Sequence, residues 1–225
     1  MKPDNGKRGE TAIIVEIYAD FVCPWCRIGR ANLAAAISMW DGPAILVKPR
    51  PFLLDPTIPP EGLPFLEYMV GRFGGGGALA EKFEPVIELG AKAGLTFRFD
   101  LVTRAANSMR AHRLVEIAPE KSRNAIAVEL FDRYFEDGLD IGDPDVLADI
   151  ARLHAVDPQS VYGLLSGPDA TAGVASSMRE AQQIGITGVP FFIVAEQYGI
   201  GGAQPPETLL QVLNMARDAS TTSSN

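Results

Sequence analysis

The pattern of apolar and polar residues divides the chain into a strand-rich beginning, a long helical middle and a strand-rich end. Residues 12–18 are nearly continuously apolar and rich in β-branched side chains, which predicts a strand buried on both faces. Apolar residues then recur at helical spacing from Pro24 to Met39. A second strand is predicted over residues 45–52, where prolines favour an edge position or an early end. This order of elements predicts a βαβ unit.

The middle of the chain, residues 55–185, carries successive helical patterns separated by glycines and prolines, which predicts an all-helical insertion. The stretch Phe97-Arg98-Phe99 interrupts these patterns with a strand-like alternation. After the insertion, residues 191–195 predict a third strand and residues 198–202 the return of a hairpin. A closing helix follows, so the chain ends as strand, strand and helix.

We therefore predict an α/β fold with two parts. Residues 12–54 and 186–217 form a discontinuous domain with a small sheet, and residues 55–185 form a helical insertion domain. The polar ends, residues 1–11 and 218–225, are predicted to be disordered. A length of 225 residues, 47% of them hydrophobic, is ample for a packed core.

Composition narrows the classes of partner. The net charge of −8 argues against nucleic acid and against anionic membranes as partners. Residues 1–11 are polar and lack the apolar core of a secretory signal, which predicts a cytoplasmic protein. In such a reducing compartment, a pair of cysteines is more typical of catalysis or metal binding than of a structural disulfide.

The two cysteines of the chain, Cys23 and Cys26, lie where the first predicted strand ends and the first helix begins. A C-x-x-C motif in this context predicts thiol–disulfide chemistry. The peptide dipoles and unpaired N–H groups of a helix N-terminus stabilise negative charge, and the thiolate is the reactive form of cysteine. The motif is therefore the candidate active site.

Three features together resemble the thioredoxin-like DsbA family: Cys23-Pro24-Trp25-Cys26 after a strand, Gly188-Val189-Pro190 before another strand, and a terminal helix. Residues 20–29, 107–114 and 198–207 resemble its FrnE-type branch, which is related to 2-hydroxychromene-2-carboxylate isomerases and kappa-class glutathione transferases. The resemblance implies a thioredoxin-like fold, βαβ followed by ββα, with a large helical insertion.

The resemblance also implies roles for the residues of the motif. Cys23 is the exposed nucleophile, and Cys26 is the resolving thiol that attacks the mixed disulfide formed by Cys23. Pro24 and Trp25 set the rigidity of the ring and the access to Cys23.

Substrate contacts are expected from two more segments. The resemblance implies that Pro190 is a cis proline, with Val189 facing the cysteines and pairing its backbone with a bound peptide. Asn107 and His112 lie in a segment that the isomerase relatives use around their active sites, so both are expected to line the pocket.

One position departs from the family pattern. Thioredoxins and periplasmic DsbA proteins keep a buried acid six residues before the nucleophile, where it relays a proton to the resolving cysteine, and here that position is Ile17. Asp20, three residues before Cys23, is a candidate for this relay, although capping a turn is the common use of such an aspartate. The sequence therefore does not identify the group that deprotonates Cys26.

Three functions compete. The first is a thiol–disulfide oxidoreductase acting on protein or small-molecule disulfides. The second is a glutathione-dependent isomerase or transferase, although those relatives usually carry a serine in place of Cys23. The third is a peptide-binding chaperone without redox chemistry.

No cofactor is expected beyond the redox-active disulfide, with glutathione as a candidate reductant or co-substrate. Zinc would need four ligands, and Cys23, Cys26, His112 and His154 are the candidates by residue type. Neither histidine has ligand-like spacing, so no metal is expected.

Overall fold

The computed structural model of the chain describes residues 12–166 and 172–222, so the predicted disordered segment 1–11 lies outside the described residues. Within these ranges, no helix combines the length and the apolar character needed to cross a bilayer. In chain order the elements are β1 (Ile13–Ala19), α1 (Pro24–Ser38), β2 (Ile45–Pro51), β3 (Leu63–Pro64), α2 (Phe65–Phe73), α3 (Gly77–Lys92), β4 (Arg104–Ala105), α4 (Met109–Ile117), α5 (Glu120–Phe135), α6 (Pro144–Leu153), α7 (Pro158–Ser166), α8 (Ala172–Gln183), β5 (Phe191–Val194), β6 (Tyr198–Gly201) and α9 (Pro206–Thr222).

The main sheet has four strands in the order β2-β1-β5-β6, which confirms the predicted α/β fold. β1 pairs in parallel with β2 and antiparallel with β5, and β6 completes the hairpin with β5. β2 lies at an edge of the sheet, as its prolines predict, because a proline cannot donate a ladder hydrogen bond. Pro49 and Pro51 are the two prolines within this strand.

The central strand β1 is covered on both faces, which explains its nearly unbroken apolar sequence. On one face, Val15 belongs to a core that includes Leu33 of α1 and Leu213 of α9. On the other face, Tyr18 packs in a smaller cluster with Ala181 of α8. The sheet is therefore a fixed platform for the residues that follow β1.

The helical segment packs against the first turns of α1. One core cluster contains Cys26 and Ile28 of α1 together with Leu114 of α4 and with Ile126 and Phe131 of α5. All five side chains are at most 2% exposed. The segment between β2 and β5 thus buries the cysteine end of the helix.

The strand-like alternation at Phe97-Arg98-Phe99 does not form a strand in the structure. These residues lie in an irregular segment between α3 and β4. The ring of Phe99 stacks on Phe83 with centroids 4.2 Å apart, and Phe97 meets Phe135 edge-on at 5.1 Å. The alternation in the sequence therefore reflects two aromatic rings directed into the insertion and not a strand.

The predicted helical segment also contains a short two-stranded sheet. β3 and β4 pair antiparallel, with Leu63 opposite Ala105 and Pro64 opposite Arg104. Two residues per strand are too few for a period-2 pattern to be visible in the sequence. The sheet joins the start of α2 to the segment that precedes α4.

The closing helix is longer than predicted. α9 continues through Thr222, so residues 218–222 are helical and not disordered, whereas residues 223–225 lie outside the described residues. The Arg217 guanidinium lies 5.5 Å from the centre of the Trp40 ring, and the Ser220 hydroxyl donates to the Arg217 carbonyl oxygen at 2.7 Å. The first contact ties the end of α9 to the residues after α1, and the second lies within the last turns of α9.

A buried arginine ties α1 to the insertion. The Arg27 side chain is 3% exposed and donates hydrogen bonds to the Thr96 carbonyl oxygen and to the carboxylates of Asp132 and Glu136. Its guanidinium also lies 5.0 Å from the centre of the Phe97 ring. Because Arg27 directly follows Cys26, this contact fixes the cysteine end of α1 relative to α5.

We expect Arg27→Met to lower the free energy of unfolding by about 1.5–3 kcal/mol, the usual size of hydrogen bonds to charged groups. Arg152→Met is the matched control. Arg152 pairs with Asp149 one turn away, and both side chains are mostly exposed, so the loss should be about 0.5 kcal/mol or less. Urea unfolding measures both changes. Equal losses in the two variants would show that Arg27 does not brace the fold.

Candidate active site

The two cysteines lie where β1 ends and α1 begins. Cys23 occupies the N-cap position with an extended backbone (φ −94°, ψ 111°), and Pro24 takes the first helical position. A proline suits that position because the missing N–H would have no partner in the helix. The Cys23 N–H donates to the Asp20 carbonyl oxygen at 3.0 Å, which closes the turn after β1. The Cys23 side chain therefore stands at the positive end of the helix dipole.

Both cysteines are free thiols and both are buried. The Cys23 thiol donates to the Val189 carbonyl oxygen, with the two atoms 3.8 Å apart. The expectation of an exposed Cys23 is wrong, since this residue is only 3% exposed. Val189 covers the sulfur, and Cys23 borders solvent through the cleft described below.

The second thiol keeps its proton. Burial raises the pKa of the Cys26 thiol well above its ordinary value, and its hydrogen bond to Cys23 raises that pKa further. A hydrogen bond with the Asp20 backbone acts in the opposite direction. At neutral pH Cys26 is therefore a neutral thiol, and any reaction in which its sulfur attacks requires a proton acceptor.

The loop facing the cysteines is held by close packing. The Val189–Pro190 peptide bond is cis. A Cβ atom at Gly29 would lie 2.9 Å from Cγ of Pro190 and 3.2 Å from Cζ of Phe192, so a larger residue would push α1 away from the loop. Gly29 thus sets how near Val189 comes to Cys23. Its role was not predicted, because a glycine in a helix pattern does not reveal what packs on it.

A cleft of about 330 Å³ opens beside the cysteines. On the sheet side it is bordered by Asp20, Cys23, Pro24, Trp25 and Val189, all predicted site residues. Trp25 is 36% exposed, so its ring forms part of the rim.

The opposite wall of the cleft comes from α2 and α3. Phe65, Tyr68, Phe73 and Phe83 line it together with the cations of Arg72 and Lys82 and the carboxylate of Asp55. These four aromatic side chains thus form a cleft wall. Helical spacing shows which residues share a face, but not whether that face meets a core or a cleft.

Asn107 does not border this cleft. Its side-chain N–H donates to the Ile58 carbonyl oxygen, and its side-chain oxygen accepts from the Met109 N–H at 3.0 Å. Asn107 thus caps the entry to α4 and ties it to the loop after β2. Its expected place as a pocket-lining residue is not what the structure shows.

Asp20 and His112 form a buried pair behind the cysteines. Asp20 is 1% and His112 2% exposed, and the Nε2 atom of His112 lies 3.7 Å from an Asp20 carboxylate oxygen. Asp20 also accepts from the Leu54 N–H at 2.7 Å and the Val22 N–H at 3.4 Å, so it braces the turn. The His112 ring packs on Phe21, with centroids 4.5 Å apart.

His112 lies on the far side of Asp20 from the cleft. It borders a second, polar cavity of about 260 Å³, and its Nε2 has no hydrogen-bond partner among the described residues. The two histidines and two cysteines considered as zinc ligands do not come together: the described ranges hold no group of three or more His, Cys, Asp or Glu side chains suited to a metal ion.

The chain is similar in sequence and in structure to known proteins. Residues 14–214 match the model of the DSBA-like thioredoxin domain. The crystal structure of a probable DsbA oxidoreductase, SCO1869 from Streptomyces coelicolor, is 31% identical in sequence, and the match covers 91% of this chain and 89% of that one with a TM-score of 0.80.

Two further structures share the fold at lower identity. A 2-hydroxychromene-2-carboxylate isomerase is 16% identical, with 94% of this chain and 98% of that chain covered and a TM-score of 0.66. The cytosolic disulfide reductase DsbM from Pseudomonas aeruginosa, solved with GSH, is 18% identical, with 93% and 98% covered and a TM-score of 0.61. At these identities the likeness is one of fold alone.

Proposed function

The chain belongs to the DsbA-like thioredoxin domain family, and on that premise we propose that it catalyses thiol–disulfide exchange with Cys23 as nucleophile and Cys26 as resolving thiol. The observation that carries the proposal is the asymmetry of the two cysteines. Cys23 caps α1 and borders the cleft, whereas Cys26 is fully buried and hydrogen-bonded to Cys23. The substrates are disulfides of proteins or of small molecules.

The exchange proceeds in two balanced steps. The Cys23 thiolate attacks one sulfur of the substrate disulfide, the substrate S–S bond breaks, and one substrate thiolate leaves. Cys26 then gives up its proton and attacks the Cys23 sulfur, which releases the second substrate thiolate and forms the Cys23–Cys26 disulfide. Two electrons pass from the protein to the substrate. The reverse sequence oxidises a substrate dithiol.

The cleft is suited to an extended, apolar substrate. Trp25 and the aromatic residues of α2 and α3 provide apolar surface on both sides of Cys23. The backbone of Val189 lies beside the Cys23 sulfur, where it can pair with a bound peptide. Pro24 and Trp25 limit the approach to the sulfur.

Asp20 is the proton acceptor for Cys26 in this proposal. Its carboxylate is buried, and its negative charge raises the pKa of the Cys26 thiol, which supports a position close enough to accept the proton. His112 lies behind the same carboxylate and can share the proton through Nε2. In the related proteins a buried acid stands six residues before the nucleophile, where this chain has Ile17. In this proposal Asp20, three residues before Cys23, takes over its role.

Glutathione is the proposed electron donor for this chain. The DsbM neighbour was solved with GSH and is described as a cytosolic reductase, which supports glutathione as electron donor and a reducing compartment for this chain. The isomerase neighbour keeps a glutathione-dependent isomerase as the alternative. Cys26 favours the oxidoreductase, because an isomerase that only binds or adds glutathione has no use for a resolving thiol.

Mixed-disulfide trapping tests the roles of the two cysteines. After reaction with glutathione disulfide, Cys26→Ala should retain one glutathione on Cys23, since no thiol remains to displace it. Wild type should pass to the internal disulfide, and Cys23→Ser should carry no adduct, because Cys26 is buried. Intact-protein mass spectrometry distinguishes the three states. Adduct formation on Cys26 in the Cys23→Ser variant would reverse the assignment.

The pH dependence of the second step tests Asp20. The pKa of Cys26 is raised, so without a proton acceptor its thiolate fraction, and with it the rate, grows about tenfold per pH unit below that pKa. Asp20→Asn also removes a charge that raises the pKa of Cys26, but the loss of the proton acceptor should outweigh this effect. The variant should therefore be slower than wild type at pH 7 and should recover as the pH rises. Rapid acid quench of the glutathione adduct measures this rate.

Asp55→Asn is the matched control, since Asp55 also borders the cleft. Its rate profile should follow wild type. If Asp20→Asn and wild type have parallel profiles, Asp20 only braces the turn.

A further inference from the structure

A groove on the other side of α1 has the character of a second binding site. This α1–α5 groove, about 460 Å³ in volume, is lined mainly by apolar side chains, among them Ala34 and Ile37 of α1, Val47 of β2 and Val128 of α5. It shares no lining residue with the cysteine cleft. Concave apolar surfaces with a few fixed polar groups are the usual form of small-molecule sites.

Arg30 supplies the polar group of this groove. Its Nε is buried and has no hydrogen-bond partner among the described residues. Burial lowers the pKa of Arg30 to about 10, and no carboxylate among the described residues opposes this shift. Arg27, one turn earlier, lines the same groove but is paired with Asp132 and Glu136. A largely desolvated cation that has no counter-ion among the described residues is costly unless something else neutralises it.

The Arg30 side chain is held in place on one side. Its Nη2 donates to the side-chain oxygen of Asn124 at 2.7 Å and to the Asn124 carbonyl oxygen at 3.1 Å. Asn124 in turn donates to the Val47 carbonyl oxygen at 2.7 Å, which anchors it to β2. The guanidinium is therefore preorganised, and less ordering is needed when a ligand binds.

The surroundings of Arg30 carry charges of both signs. Arg30 also borders the polar cavity beside His112, whose wall carries two more arginines, Arg50 and Arg123, and two glutamates, Glu116 and Glu180. Arg50 is paired with Glu180 and with Glu16, whereas no ion pair joins Arg30 to a carboxylate among the described residues. An anionic group is the complement of the Arg30 cation, and an apolar chain is the complement of the groove.

We propose that the α1–α5 groove binds a small amphipathic carboxylic acid, with its carboxylate on Arg30 and its apolar chain along Ala34, Ile37 and Val128. Guanidinium and carboxylate groups form charge-assisted hydrogen bonds of matched geometry. The carboxylate supplies the counter-charge that the Arg30 guanidinium lacks among the described residues. This site is separate from the thiol chemistry and does not depend on the proposed function.

Calorimetric titration of the full chain with octanoate and with 1-octanol tests the site. Octanoate should bind saturably at one site, and 1-octanol at least about tenfold more weakly, because a neutral hydroxyl gains less from Arg30. Arg30→Met should weaken octanoate binding at least about tenfold and leave 1-octanol unchanged. Arg152→Met, which removes an exposed and paired arginine, should bind octanoate as wild type does.

Two further variants keep the test decisive. Ala34 is exposed on α1, so Ala34→Trp fills the groove with little risk to folding, and it should abolish octanoate binding even if Arg30→Met does not fold. Cys23→Ser should bind octanoate unchanged, which separates this site from the cleft. The proposal is overturned if octanoate fails to saturate the protein at millimolar concentration, if 1-octanol binds equally well, or if Ala34→Trp binds as wild type does.

Discussion

The unequal surroundings of the two cysteine side chains at the start of α1 are the constraint on which the rest of the site depends. Cys26 is fully buried, and burial holds its proton well beyond neutral pH. Cys23 caps the same helix at its positive end and borders the cleft. Cys23 and Cys26 are therefore one helical turn apart but differ in reactivity. The Cys23 sulfur is placed to attack a substrate, whereas the Cys26 sulfur can attack only after it loses its proton.

The helical insertion completes this arrangement in two ways. Its core includes Cys26 and excludes water from the start of α1, and Arg27 secures the contact through α5. Its first two helices supply the aromatic wall that faces Trp25. The sheet positions the remaining parts of the site. The turn that carries the cysteines follows β1, and Val189, just before β5, lies beside the Cys23 sulfur. The site thus belongs to both parts of the chain.

Much of this could be predicted from sequence, and the failures share one physical reason. Continuous apolar character located β1, prolines placed β2 at an edge, and a cysteine pair between strand and helix located the candidate active site. These signals are local. The pairing of Asp20 with His112, the contact of Gly29 with Pro190 and the use of Phe73 in a cleft wall depend on which distant segments meet. Periodicity identifies a face of a helix but not its neighbour.

The central claim is that Cys23 and Cys26 interconvert between a dithiol and a disulfide. Equilibration of the full chain in buffers of varied reduced-to-oxidised glutathione ratio, followed by alkylation and mass spectrometry, tests it most directly. The account predicts a single two-electron transition between two alkylated thiols and none, with the half-oxidised adduct scarcely populated. Two alkylated thiols at every ratio, or a stable glutathione adduct in wild type, would contradict it.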